Sequence, residues 1–347
     1  MPEPRLELAP LDISRQLDDE LLLRTVGGAV PVLTGELARL RCRPHLLERG
    51  ASTIRLRYRG PLGPLAQVRL YDVCAVVLAP IEPQTMPDPE RVLARLRESL
   101  DHGLLAALVA AGPVRFRVSP LRFGRWEIRN LLTRELGWIN DPGRWDVNLE
   151  VMGPHLAAQV GPMHWSRRFA KLARVPASTN PVVAALMTRL LAPEDVAVVC
   201  DPCCGAGTLL VESLAVAPGT AVVGADVSRP ALVAARRNLE PAGGGWVLCR
   251  ADARHLPLGE RSVPRLVCNL PFGKRVGSHR QNLAFYPAFL AEVDRVLDRG
   301  GRAVVLTEEK RLLRQSVAGT RNLRIEDELT VETGGLHPSL FVLSGGR

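Results

Sequence analysis

The second half of the chain reads as an α/β fold, a mostly parallel seven-stranded sheet with helices on both faces and a terminal antiparallel hairpin. Two observations carry that reading. Apolar runs at 196–200, 221–225, 246–249, 265–268 and 303–306 alternate with helix-like segments at 208–216, 229–239, 283–297 and 309–317. Strands that are nearly continuous in apolar residues and separated by helices belong to a parallel sheet covered on both faces. The end of the chain breaks this alternation. Residues 325–332 and 340–343 are strand-like and flank Gly334-Gly335 with no helix between them, the pattern of a hairpin.

The first half has a different texture, expected to be α+β. Residues 1–20 read as a loose leader. Short strands follow at 53–58, which alternates as TIRLRY, and at 73–78. Pro80, Pro83, Pro87 and Pro89 break the pattern, and a helix is expected from Pro89 with Val92, Leu93, Leu96 and Leu100 on one face. A strand within 114–120 (VRFRVSP), an amphipathic stretch from Trp126 to Trp138, and strands at 147–152 and 157–160 complete this half. Residues 163–180 are basic and irregular, and read as a linker. The expected divisions are therefore 1–20, 21–90, 91–162, 163–180 and 181–347.

Composition limits the function classes. The chain has 347 residues, 46% hydrophobic and 23% charged, enough for two or three packed domains and too apolar for disorder. The longest nearly unbroken apolar stretch, 104–114, is too short to span a bilayer, and 1–11 lacks the apolar core of a signal peptide. Seven cysteines argue against a secreted disulfide scaffold, so a cytoplasmic protein with no membrane partner is expected. Only Lys171, Lys274 and Lys310 are lysines, so 42 of the 45 basic residues are arginine. With a formal net charge of +9, that surplus of planar guanidinium groups suits a phosphate-rich partner.

The chemistry lies at the strand ends. The first strand of the α/β half runs into Asp201-Pro202-Cys203-Cys204-Gly205-Ala206-Gly207-Thr208, where two glycines permit a tight turn and close approach to a ligand. The second strand ends at Asp226, followed by Val227, and an acid there can hold the ribose hydroxyls of an adenosine cofactor. The third ends at Asp252-Ala253, placed for an adenine edge. A nicotinamide-binding fingerprint would need Gly or Ala at the position of Leu210. An acidic Asp201 beside the loop also suits S-adenosylmethionine, which has no pyrophosphate to neutralise. Asn269-Leu270-Pro271-Phe272 then follows the fourth strand. It resembles the [Asn/Asp]-Pro-Pro-[Tyr/Phe] motif of methyltransferases that act on exocyclic amines, with leucine in place of the first proline. The Asn269 oxygen and a backbone carbonyl near Leu270 can accept the N–H bonds of a poorly nucleophilic amine, and Phe272 offers a stacking face.

An open α/β sheet closed by a hairpin is the Rossmann-like architecture of class I methyltransferases. The run from Asn269 to Ser278 with Asn282 and Tyr286, and the segment 177–191 before the sheet, resemble the THUMP-domain tRNA guanine-N2 methyltransferases. Residues 114–120, the basic helix after them and 146–160 follow the pattern of a THUMP domain, and 21–90 resemble the family's N-terminal ferredoxin-like domain. The resemblance implies S-adenosylmethionine as methyl donor, the N2 amine of a guanosine in the tRNA acceptor stem (m2G6-type) as acceptor, and docking of the tRNA 3′ end on the THUMP surface. The enzyme is expected to act as a monomer. Alternatives that keep the same Asn269 chemistry are an rRNA guanine-N2 or DNA adenine-N6 methyltransferase. An inactive RNA-binding protein with a methyltransferase fold is the alternative from another class.

The remaining reactive residues have plainer readings. Cys200 and Cys203 have CxxC spacing, but no second ligand pair accompanies them, and no metal site is expected. No histidine shows metal spacing, and none is needed as a base. Arg115, Arg117, Arg122, Arg125 and Arg129 are interleaved with Phe116, Phe123 and Trp126, a pattern that favours RNA over a merely solvated face. Lys274 and Arg275, beside the catalytic loop, are candidates for phosphate contacts.

Overall fold

The computed structural model describes residues 11–81, 87–109, 112–122, 124–169, 171–272 and 278–346. They fall into two compact units, Met1–Lys171 and Leu172–Arg347. Among the described residues, no helix is long and apolar enough to cross a membrane.

The first unit contains β1 (Gln16–Arg24), α1 (Val30–Ala38), β2 (His45–Arg49), β3 (Thr53–Pro61), α2 (Leu62–Gln67), β4 (Val73–Pro80), α3 (Pro89–His102), β5 (Arg115–Val118), α4 (Arg125–Leu136), β6 (Ile139–Asn140), β7 (Val147–Met152), β8 (His155–Val160) and α5 (Trp165–Arg168). Its strands form one eight-stranded sheet in the order β2-β3-β1-β4-β8-β7-β5-β6. The strand β4, apolar and buried from Val73 to Ala79, pairs antiparallel with β1 on one side and β8 on the other. The two regions expected from 21–90 and 91–162 therefore share a continuous sheet. In α3, Asp88 accepts the Glu90 N–H at 3.0 Å, Pro89 occupies the first turn, and Val92, Leu93 and Leu96 are buried.

Two boundaries differ from the sequence reading. The expected leader 1–20 contains the first half of β1. Its acidic residues are satisfied by partners distant in sequence. Asp18 pairs with Arg57 and Arg59 of β3, while buried Asp19 accepts from Ser99 Oγ at 2.6 Å, the Leu104 N–H at 2.8 Å and Arg95 Nη2 at 2.9 Å. The expected linker 163–180 is also partly core. Arg168 is fully buried, donates to the carbonyls of Ala66, Val68 and Tyr71 at 2.7–2.9 Å, and lies 3.8 Å over the Tyr71 ring. An arginine that saturates otherwise unpaired carbonyls belongs to the folded unit, whatever its charge suggests.

The second unit contains α6 (Pro181–Leu191), β9 (Val198–Asp201), α7 (Thr208–Val216), β10 (Ala221–Asp226), α8 (Arg229–Leu239), β11 (Trp246–Arg250), β12 (Val263–Asn269), α9 (His279–Val296), β13 (Leu297–Thr307), α10 (Lys310–Ala318), β14 (Arg324–Thr330) and β15 (Ser339–Ser344). The sheet order is β11-β10-β9-β12-β13-β15-β14. Strands β9 to β13 are parallel, and β15 is antiparallel to both neighbours, as the hairpin signal requires. Chain order reverses between β9 and β12, so the crevice beyond their carboxyl ends is the expected ligand position of an open α/β sheet.

The loop after β9 is tight for a reason the sequence reading placed elsewhere. Gly207 has φ +75°, and a Cβ there would sit 3.2 Å from Ala235 Cβ of α8. Its freedom serves helix packing. Close approach of α7 to the sheet comes from Gly224 in β10, where a Cβ would lie 2.7 Å from both Leu210 and Leu248. The small residue that a dinucleotide fold places at the position of Leu210 stands here on the facing strand.

Candidate functional site

The carboxyl ends of β9, β10 and β12 and the segment after β11 open onto one cavity of about 690 Å³. Ten of the expected cofactor residues line it: Asp201, Cys203, Gly205, Ala206, Thr208, Asp226, Val227, Asp252, Ala253 and Asn269. Gly207, turned toward Ala235, is absent from the lining. All four residues of the Asn269–Phe272 motif take part in the wall. Segment 174–180, Phe285 and the hairpin turn at Thr333, Gly334, Leu336 and Pro338 supply walls that the sequence reading had not placed there.

The loop is held by its neighbours. The Cys204 N–H donates to the Ala225 carbonyl at 2.9 Å, and the Gly205 N–H donates to Asp226 Oδ2 at 2.9 Å. Asn238 of α8 donates to the carbonyls of Ala173 and Ala206 at 2.9 and 2.8 Å and accepts the Ala173 N–H at 2.7 Å. Asn238 thereby pins two walls of the cavity at once. Its only sequence signal was an ordinary helical asparagine.

The three acidic strand ends differ in electrostatic state. Asp226 Oδ1 and Oδ2 each accept one backbone N–H, from Ser228 and Gly205, which leaves lone pairs free for ligand hydroxyls. Asp252 is already engaged. Arg254 grips both its oxygens at 2.6–3.1 Å, and this bonding holds the carboxyl down to about 2. Any ligand approaching Asp252 therefore competes with Arg254. Asp201 is buried, and desolvation pushes its carboxyl up to about 8 although the Cys203 N–H donates to it at 3.1 Å; the Asp226 charge adds to the rise.

That raised value has a stability consequence. Between the unfolded value of 3.8 and about 8, the folded protein holds a proton on Asp201 that the unfolded chain does not. The associated stability is full below 3.8 and is lost as pH rises through the folded value. Relative to Asp201→Asn, ligand-free wild-type protein should lose up to about 1.4 kcal/mol per pH unit across this window. Denaturant unfolding of both proteins from pH 5 to 8 measures the gap, and parallel curves would show that Asp201 is ionised throughout.

At the end of β12, Asn269 Nδ2 donates to Thr179 Oγ1 at 3.0 Å. Asn269 Oδ1 is buried and has no hydrogen-bond partner among the described residues. The loop beyond it is anchored independently: the Leu270 N–H donates to the Leu306 carbonyl at 3.0 Å, and Tyr286 Oη lies 3.0 Å from the Pro271 carbonyl and 2.6 Å from Thr307 Oγ1. Leu270 is buried, and the leucine that departs from the Pro-Pro pattern fills core there.

The basic residues named from sequence have mixed fates. Arg115, Arg122 and Arg125 are exposed, as is Trp126 at 69%. Arg117 is half-buried, donates to Asn148 Oδ1 at 3.0 Å and stacks 4.3 Å from the Trp145 ring, while Arg125 Nε donates to the Val118 carbonyl. Arg129 is also half-buried. Lys274, Arg275 and Phe123 lie outside the described residues. Burial pushes the Cys200, Cys204 and Cys268 thiols up, which keeps them neutral.

A doubly wound sheet with its terminal hairpin, and a strand-end cavity carrying the acidic loop and the Asn269 motif, define the second unit as a class I methyltransferase domain. Residues 168–339 match the family described as RMKL-like, methyltransferase domain. A tRNA (guanine(6)-N2)-methyltransferase of Thermus thermophilus is 34% identical over 201 residues, 57% of this chain and 59% of that protein. The tRNA (guanine(6)-N(2))-methyltransferase THUMP3 of Bos taurus is 32% identical over 183 residues, 48% of this chain and 36% of that protein. The matched segments thus span less than two thirds of these relatives' own length. The crystal structure of TrmN from Thermus thermophilus superposes with a TM-score of 0.76 at 26% identity, covering 94% of this chain and 99% of that one.

Proposed function

We propose that the chain transfers a methyl group from S-adenosylmethionine to the exocyclic N2 amine of a guanosine in the acceptor stem of tRNA, as a monomer whose first unit holds the RNA. The observation that carries the chemistry is the buried Asn269 Oδ1 in the wall of the strand-end cavity, without a hydrogen-bond partner among the described residues. An amide oxygen without a partner is costly, and an incoming amine N–H relieves that cost while being oriented. The named activities of the relatives supply the substrate class.

The residues present suit the cofactor. Asp226 retains acceptor capacity for ribose hydroxyls, Asp252 can meet an adenine amine once Arg254 yields, and Asp201, protonated in the ligand-free protein, would ionise against a cationic amino-acid tail. When bound, S-adenosylmethionine supplies an electrophilic methyl group on its sulfonium. The protein's part is to orient the amine through Asn269 Oδ1 and a backbone carbonyl, to present Phe272 to the base, and to exclude water behind buried Leu270 and Tyr286. No residue is needed as a base, since the amine loses its proton once its lone pair has been committed to the methyl group. The exposed arginines of 115–125 with Trp126 supply phosphate and stacking contacts to the tRNA, including its 3′ end.

Two measurements test this reading. Unmodified tRNA incubated with protein and S-adenosylmethionine should yield N2-methylguanosine on nucleoside mass spectrometry; N6-methyladenosine, or no methylated nucleoside, would overturn it. Asp226→Ala should weaken S-adenosylmethionine by about 1.5–3 kcal/mol through loss of a charge-assisted bond. Unchanged affinity by calorimetry would remove Asp226 from the cofactor site.

A further inference from the structure

We infer that Thr179 is a positioning residue for methyl transfer: it fixes the plane of the Asn269 amide so that Oδ1 is the atom left for the substrate amine. The inference rests on the proposed function and adds a residue outside the Asn269–Phe272 motif. Thr179 stands immediately before Asn180, which caps α6 by accepting the N–H groups of Val182 and Val183. Thr179 is 9% exposed and, with Asn269, lines the cavity. The two are 90 residues apart in sequence, and their 3.0 Å bond ties the segment before α6 to the end of β12.

The chemistry of the pair explains the residue type. A primary amide has two donors on one side and an acceptor on the other, and can rotate to exchange them. A hydroxyl accepts the Nδ2 proton, and Oδ1, at the other end of the amide, is then left without a partner among the described residues. Valine has nearly the shape of threonine but can accept nothing. In its presence Nδ2 would lose its acceptor, and the amide would turn to seek another, carrying Oδ1 off the line of approach. Serine keeps the acceptor. A misplacement of about 1 Å at the reacting group can cost on the order of 10²-fold in rate. The acids proposed for ribose and adenine, Asp226 and Asp252, are held by Gly205, Ser228 and Arg254 and not by this amide, so the defect should fall on the chemical step.

The test compares Thr179→Val and Thr179→Ser with wild type in the full chain. Single-turnover methylation of tRNA should fall about 10- to 100-fold in Thr179→Val, with S-adenosylmethionine and tRNA affinities within about twofold, and should recover to within about threefold of wild type in Thr179→Ser. A loss in affinity without loss of rate, or a serine variant as slow as valine, would make Thr179 a packing or cofactor residue and overturn the inference. A second readout needs no RNA. The side-chain amide protons of Asn269, identified by their disappearance in Asn269→Ala, should exchange with solvent at least tenfold faster in Thr179→Val than in wild type. Unchanged exchange would show that Thr179 does not hold the amide. Slowed exchange in a wild-type protein that methylates no guanosine would leave the geometric inference standing and sink the substrate assignment instead.

Discussion

Asn269→Ala is expected to reduce methyl transfer by about 10²–10³-fold while S-adenosylmethionine affinity stays within about twofold. The magnitude is that of removing one preorganised hydrogen-bonding group aimed at the reacting centre. Truncation removes Oδ1, the acceptor proposed to orient the amine, and leaves Thr179 Oγ1 without its donor. It should not collapse the loop, because Leu270 is held by Leu306, and Pro271 by Tyr286, through contacts that bypass the Asn269 side chain. A drop in kcat with little change in either KM is therefore the expected signature. Wild-type-like single-turnover rates in a properly folded Asn269→Ala protein would refute amine orientation by this residue. A large loss of cofactor affinity would instead move Asn269 from substrate positioning to cofactor binding.

The parts of the site that could be read from sequence are those whose signal is local. A tight loop with two positive-φ glycines, and acids closing β9, β10 and the segment after β11, lie within a few residues of the strands that position them. The expected alternation of strands and helices corresponds to the sheet order because a continuous apolar run such as the one at 196–200, which forms most of β9, has few places to go except the middle of a parallel sheet. What escaped was long-range or disguised. Thr179 and Asn238 find their partners 90 and 65 residues away, and neither residue type advertises that role. The Asp252–Arg254 pair is local, yet nothing in the spacing distinguishes an arginine that grips the acid from one that faces solvent. β1 was hidden because Asp18 and Asp19, on opposite faces of the strand, interrupt its apolar alternation, and the partners that satisfy them lie on β3 and α3. Likewise the polar DRGGR run of 298–302 masks the first half of β13, where Arg302 pairs with Ser344 of β15.

A fragment spanning residues 172–347 should bind S-adenosylmethionine as the whole chain does, yet methylate full-length tRNA at least about 10²-fold less efficiently in kcat/KM. The boundary follows from side-chain allegiance. Arg168 spends its guanidinium on the carbonyls of Ala66, Val68 and Tyr71, so it belongs to the first unit and would lose all three acceptors in a fragment that included it. Ala173 is bonded through both its N–H and its carbonyl to Asn238, so a later start would loosen a wall of the cofactor cavity. Every residue lining that cavity lies between Arg174 and Pro338, which is why cofactor binding should survive. The exposed arginines at 115, 122 and 125 and the exposed Trp126 would be gone, and with them the proposed tRNA contacts of the first unit. Phosphate contacts release counterions, so tRNA affinity of the whole chain should fall steeply between 50 and 200 mM salt, by about 0.9 log unit per log unit of salt for each duplex phosphate neutralised. The fragment's residual RNA binding should show a shallower slope, and its cofactor affinity almost none. An isolated acceptor-stem duplex without a 3′ overhang should be a poor substrate for the whole chain. Methylation of intact tRNA by the fragment at the rate of the whole chain would assign RNA recognition to the second unit alone.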